Sequence, residues 1–268
     1  MLELYYFPNA TCGVKARLVL HEKGVDYTRR NLNRDAGDLQ TPKYRALNPN
    51  GVVPTMVHDG HVLIESTVIM SYTDDAFDGP PLKPDTPLGR ADMAMWMKLT
   101  DERYFPALAD LTYATSQRAR VRGRYQTDAE IDDYLSHVTN EAERARRRSV
   151  LMDGPASPEA RRAIVVLNGM LDRIDRTVAD ASFLCGSRYT LADAALTPFL
   201  ARLELLCMDP LWKKNYPNAT RWWDRIKARP SFADEAAKDV TEEYRAFVGA
   251  EGRKCWPALR DYLETQSG

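Results

Sequence analysis

Between Asn48 and Ser71 the chain gathers residue types able to hold a small peptide-like ligand. Val52-Val53 is halted by Pro54, which has no amide proton and takes a cis bond more readily than other residues. Val53 can therefore offer its amide and carbonyl to an extended ligand, as a sheet edge does. Glu65-Ser66 precedes a helical stretch predicted over Thr67 to Phe77, with Ser66 as its expected N-cap. Ser66 and the first helical amides suit a carboxylate, and Glu65 can accept from an amine. Without a ligand the same stretch is a hairpin, a proline stop and a capped helix. The other chemistry-bearing residue types are scattered. Cys12, Cys185, Cys207 and Cys255 form no Cys-x-x-Cys pair, so neither a zinc site nor a disulfide framework is expected. His58 and His61 flank a turn and read as surface residues, so no metal is expected.

The elements that must position this stretch follow in order. Leu2 to Phe7 reads as a strand, Pro8 to Gly13 as a loop, Val14 to Lys23 as a helix closed by Gly24, and Val25 to Leu32 as a second strand. Asn48-Pro49-Asn50-Gly51 is turn chemistry. Thr55 to Val57 and Val62 to Ile64 are short strands joined by Asp59-Gly60, a strong hairpin pair. Strand, helix, strand, then hairpin and helix, makes a small mixed sheet. Residues 79–88 form a proline-rich linker. From residue 89 the pattern is helical, with Met93, Trp96 and Met97 on a helical spacing and Pro106 expected to kink or end the helix. Residues of about 117–157 are a charge-dense insertion whose mixed signs read as a solvated helical hairpin. Glu159 to Asp180 is amphipathic, with Ile164, Leu167, Leu171, Ile174 and Val178 on one face. Thr190-Leu191-Ala192-Asp193 is a short-armed capping box ahead of a buried helix.

Composition excludes several classes. The chain has 268 residues, a formal charge of −1, 44% hydrophobic and 28% charged residues. Near-neutral charge argues against nucleic acid as partner, and no apolar run approaches the ~20 residues of a membrane span. With no signal-like segment at the N-terminus, the expected location is cytoplasmic.

Val-Pro, hairpin, Glu-Ser and helix, followed by the Thr190-to-Asp193 box, resemble the cytosolic glutathione S-transferase family over about residues 2–235. Trp222-Trp223-Asp224-Arg225 and Arg229-Pro230-Ser231-Phe232 add to the likeness. The resemblance implies an α+β chain. Its N-terminal thioredoxin-like domain, residues 1–78, holds a mixed four-stranded sheet with helices. An all-helical bundle domain, residues 89–268, ends in an extension from about 236. It implies glutathione as co-substrate, a small electrophile as second substrate, and a homodimer. Carried over, Val53 and Pro54 meet the cysteinyl backbone, Glu65 and Ser66 hold the γ-glutamyl amine and carboxylate, and Gln40 meets the glycyl end. Members stabilise the glutathione thiolate from the window Pro8 to Gly13, where a free thiol of pKa ~8.5 must be made acidic. Here an ungapped match puts Ala10 where serine-type members carry serine, leaving Thr11, Cys12 and Asn9 as candidates. Tyr104, Phe105, Tyr113 and Trp212 are the aromatics expected against the electrophile.

The wording Val57-His58-Asp59-Gly60, Glu65-Ser66-Thr67-Val68-Ile69, Arg90-Ala91-Asp92-Met93 and Trp96-Met97-Lys98 is similar to bacterial β-etherases that cleave aryl ethers of lignin fragments. Two further readings stay open. One is a non-catalytic transferase-like binding protein, which the missing serine, the charged insertion and the likeness of Leu4-Tyr5-Tyr6-Phe7 to ganglioside-induced differentiation-associated proteins support. The other is a thiol-disulfide exchanger working through Cys12.

Overall fold

The computed structural model describes residues 1–34, 36–138 and 140–266. Thr139 of the charged insertion and the last two residues of the C-terminal extension lie outside the described residues. Strand β1 (Leu2–Tyr6), helix α1 (Thr11–Glu22) and strand β2 (Thr28–Asn31) come first, then a 3-10 turn (Asp38–Gln40) and helix α2 (Pro42–Leu47). Strands β3 (Thr55–His58) and β4 (His61–Ile64) lead to helices α3 (Ser66–Ala76) and α4 (Pro87–Leu99). The sheet order is β2-β1-β3-β4, with β1 and β2 parallel and the other pairs antiparallel. Leu2, Leu4 and Tyr6 alternate inward and pack with Ala16, Leu20, Met56 and Ile69. Each buried Leu, Ile or Met side chain among them contributes roughly 1.5–3 kcal/mol.

Helix α1 starts three residues earlier than its apolar spacing predicts. Val14 N–H donates to the Ala10 carbonyl at 3.0 Å, so Thr11 and Cys12 lie in the first turn and not in a loop. Ala10 makes no side-chain cap, which is why the start carries no sequence signal. Gly13 allows it: a Cβ there would stand 3.2 Å from Tyr6 Cβ and 3.5 Å from the Phe7 carbonyl. The second strand is shorter than expected, four residues from Thr28.

After α4 come a π-helical turn (Thr100–Tyr104), α5 (Phe105–Thr112), a second π-helical turn (Tyr113–Gln117) and α6 (Arg118–Arg124). Pro106 does not end the helix. It falls in the first turn of α5, and the Phe105 amide ahead of it bonds to the Thr100 carbonyl, so the wider turn absorbs the lost hydrogen bond. Then come α7 (Asp128–Leu135), α8 (Glu141–Asp153), α9 (Pro158–Thr177), α10 (Leu191–Leu205), α11 (Pro210–Lys213), α12 (Pro217–Lys227), a third π-helical turn (Phe232–Ala237) and α13 (Glu242–Thr265). A capping box at Thr127 and Glu130 starts α7, so the charged stretch is three short helices.

Two compact units are formed. The first comprises residues 1–98, 177–201 and 221–241; the second comprises 99–176, 202–220 and 242–268. In the first unit, Asp193 is fully buried, and its carboxylate accepts from the Leu184 amide, the Trp222 indole and both the amide and hydroxyl of Thr190, at 2.9–3.0 Å. Burial pushes this carboxyl above the usual carboxylate range, against the pull of those four donors. Of the expected capping box, the half in which the Asp193 carboxylate accepts from the Thr190 amide is present, while the Thr190 hydroxyl donates to the same carboxylate where the box has it accepting from the Asp193 amide. In the second unit, α13 crosses the end of α10 so closely that a Cβ on Gly252 would lie 1.8 Å from the Leu206 carbonyl oxygen.

Candidate active site

Strand register brings the chemistry-bearing segments to one end of the sheet. Tyr5 pairs with Thr55 and Thr55 pairs with Ile64, so the turn after β1, the Val53-Pro54 step before β3 and the Glu65-Ser66 step after β4 are neighbours. Tyr6 pairs with Asn31, which starts the connection to Gln40 from the same end. This is the carboxyl end of the parallel pair β1 and β2, where open α/β sheets bind ligands.

The Val53-Pro54 bond is cis, Pro54 is buried, and Val53 is half-buried. Among the described residues neither the amide nor the carbonyl of Val53 has a hydrogen-bond partner. Its neighbour is fixed instead. The Val52 carbonyl accepts from Tyr44 Oη at 2.6 Å and Asn48 Nδ2 at 2.9 Å, and both side chains also reach Thr55 Oγ1. Tyr44, Asn48 and Thr55 thus aim the open edge. The sequence announced the turn at Asn48 but gave no signal for Tyr44 or Thr55.

Ser66 is the first residue of α3, and Glu65, with φ +67°, holds the N-cap position without capping it. The expected Ser66 cap is therefore corrected: the hydroxyl of this buried residue takes no partner among the described residues. Glu65 is exposed, and its left-handed backbone carries a cost on the order of 1–3 kcal/mol, a kind of strain found at ligand clamps. Gln40 is exposed, and Arg45 Nη2 donates to its Oε1 at 2.6 Å, leaving the amide nitrogen outward as a donor. Thr11 and Cys12 are half-buried at the amino end of α1, where amides and the helix dipole favour negative charge. The Thr11 hydroxyl has no partner among the described residues. Asn9 is half-buried beside them. Tyr5 donates to Glu3 and Tyr6 is packed in the core.

The expected aromatics belong to the second unit. Tyr104 is buried, and burial raises its phenol. Phe105 is exposed, Tyr113 carries the Arg147 guanidinium 5.5 Å over its ring, and Trp212 is fully buried. In the same unit the Asp110 carboxyl is pushed up to about 6 by burial, against the pull of Arg146 at 3.0 Å.

The family model for the glutathione S-transferase N-terminal domain matches residues 11–76, and that for the C-terminal domain matches residues 150–230. The chain belongs to the glutathione S-transferase family. As a glutathione transferase it is an enzyme with glutathione as co-substrate, built as a thioredoxin-like domain with helices around a four-stranded mixed sheet, followed by a helical domain. Protein LigF of a Sphingobium species is 27% identical over 251 residues, covering 90% of this chain and 95% of its own. The crystal structure of β-etherase LigF matches with a TM-score of 0.76 at 25% identity, over 88% of this chain and 99% of that one. Tetrachloro-p-hydroquinone reductive dehalogenase of Sphingobium chlorophenolicum is 29% identical over 240 residues, covering 86% and 94%. A theta-class transferase of Xanthomonas axonopodis pv. citri, solved with glutathione bound, matches at TM-score 0.63 and 27% identity, over 87% and 96%.

Proposed function

We propose that this transferase uses the glutathione thiolate to displace a leaving group from a small aromatic electrophile, with aryl-ether cleavage as its reaction. The observation that carries it is the convergence at one sheet end of three groups without partners among the described residues: the Thr11 hydroxyl, the Val53 backbone edge and the Ser66 hydroxyl. Val53 pairs with the cysteinyl backbone, Ser66 and the first amides of α3 take the γ-glutamyl carboxylate, Glu65 takes its amine, and Gln40 meets the glycyl end. Thr11 donates to the sulfur at the amino end of α1, so the thiol loses its proton to solvent before attack. The carbon–sulfur bond then forms as the carbon–oxygen bond breaks. A neighbouring ketone activates the carbon, and a phenolate leaves with the bonding pair. The β-etherase and dehalogenase relatives, both of which fit displacement at an aromatic substrate, support this reading.

The test is phenolate release and thioether formation from a β-aryl-ether ketone in the presence of glutathione, with chlorinated aromatics in parallel. Glutathione binding without conjugation to either class would refute it. Cys12 supports a second reading, since a half-buried thiol at a helix amino end is placed for mixed-disulfide exchange. A cytoplasmic location and a homodimer go with the transferase reading. Among the described residues no helix is long and apolar enough to cross a membrane. A sedimentation mass of one chain would remove the dimer.

A further inference from the structure

Arg17 on α1 is fully buried, six residues after Thr11. Its Nη2 donates to the Pro8 carbonyl at 3.2 Å and also to the Glu235 carbonyl; its Nη1 meets Asp239 Oδ2 at 2.5 Å, and its guanidinium lies 4.6 Å from the centre of the Tyr6 ring. Glu235 is 2% exposed, stands 3.6 Å from Arg17 Nε, and takes a bidentate pair from Arg29 on β2. Outside this core, His21 meets Asp234 at 3.0 Å, and Arg229 holds Glu22 at 2.7 Å. Two carboxylates therefore balance two guanidiniums, and the whole cluster lies within the first unit. Glu235 and Asp239 lie in residues 232–240, beyond both matched family models.

None of Gln40, Val53, Pro54, Glu65 and Ser66 belongs to this cluster, yet one of its bonds ends on Pro8, the residue that opens the turn to Asn9, Ala10 and Thr11. The Ala10 amide closes that turn on the Phe7 carbonyl at 3.2 Å, so the Pro8 carbonyl sits inside it. A buried guanidinium with a fixed fork is a rigid anchor, because each lost partner leaves an uncompensated charge. We propose that Arg17 is a positioning residue for thiol activation: held by Glu235 and Asp239, it fixes through Pro8 the direction in which Thr11 and the first amides of α1 face the sulfur. The stretch 232–240 is thus a tuning element of the active site, and this inference rests on the thiolate reading above.

The experiment compares wild type with Arg17→Lys, Asp239→Asn and Asp239→Glu. Lysine keeps the charge but cannot bridge Pro8, Glu235 and Asp239 together. Calorimetry with glutathione is expected to give affinities within about threefold of wild type for all three, since Val53 and Ser66 are untouched. The acidic limb of the rate-against-pH profile is expected to move upward by about one pH unit in Arg17→Lys and Asp239→Asn, about a tenfold loss of rate below the limb, with Asp239→Glu restoring it. A role in folding alone would scale the rate equally at every pH and leave the limb in place, which overturns the inference. Asp239 is 33% exposed, so Asp239→Asn decides the matter if Arg17→Lys does not fold. Wild type that binds glutathione without an ionised thiol would sink the underlying reading, whereas an active wild type with unmoved variants sinks this inference alone.

Discussion

Replacing Asp193 by alanine should cost about 4 kcal/mol of stability. The carboxylate accepts four hydrogen bonds at 2.9–3.0 Å, two on each oxygen, from Leu184, Trp222 and the amide and hydroxyl of Thr190. A bond to a charged group contributes about 1.5–3 kcal/mol net, but burying the carboxylate offsets much of that sum. What remains on truncation is the penalty of the donors left without partners, in a site with no solvent access, about 3–5 kcal/mol as for other broken buried charge networks. Asparagine keeps one oxygen and turns a nitrogen towards the other pair of donors, so Asp193→Asn should lose about half as much. The assay is denaturant unfolding of the three proteins at neutral pH, read as midpoint and slope. Losses below about 1 kcal/mol in both variants would show that the carboxylate does not hold the 184–190 turn and α12 to α10, and would refute this account of the first unit.

Thr11→Val keeps the volume at the amino end of α1 and removes only the hydroxyl, so conjugation at neutral pH should fall about 10- to 100-fold with glutathione affinity little changed; Cys12→Ala should keep the rate, and the reverse pattern would move the chemistry to Cys12. Asp110 gives a pH signature. Its folded value of about 6 lies above the ordinary 3.8, so the stability it contributes is full below pH 4 and is lost as pH rises through 6. Asp110→Asn should therefore gain on wild type by up to about 3 kcal/mol between pH 4 and 7, and parallel stability curves would exclude that role. Gly252→Ala offers about 1 kcal/mol of helix propensity but puts a methyl 1.8 Å from a backbone oxygen. Overpacking at about 1–3 kcal/mol should win, as a lowered melting temperature.

The turn, hairpin and Val-Pro chemistry between Asn48 and Ser66 was legible because it is written in residues adjacent in the chain. The start of α1 was not, since Ala10 offers no cap and the helix gains its first turn from the room left at Gly13. Ser66 looked like a cap because serine before a helix usually is one. The left-handed Glu65 depends instead on where β4 ends against β3. Tyr44 and Thr55 were hidden because they act on a backbone carbonyl, which every residue has. Arg17 was invisible for another reason: its partners Glu235 and Asp239 lie 218 and 222 positions away. The π-helical turn from Thr100 to Tyr104, just ahead of Pro106, absorbed the break that a proline announces locally.

The first unit is assembled from three stretches separated along the chain, and that has a consequence for recombination. A chimera that exchanges residues 1–98 with a relative would take Arg17 and Arg29 away from Glu235 and Asp239, and Glu22 away from Arg229. The buried Arg17 guanidinium would then face whatever the host carries at those places. Grafts that also transfer residues 177–201 and 221–241 should express as folded protein, while those that stop at residue 98 should not. The heritable module of this enzyme is thus a set of segments bound by charge, and its borders do not coincide with any single cut in the gene.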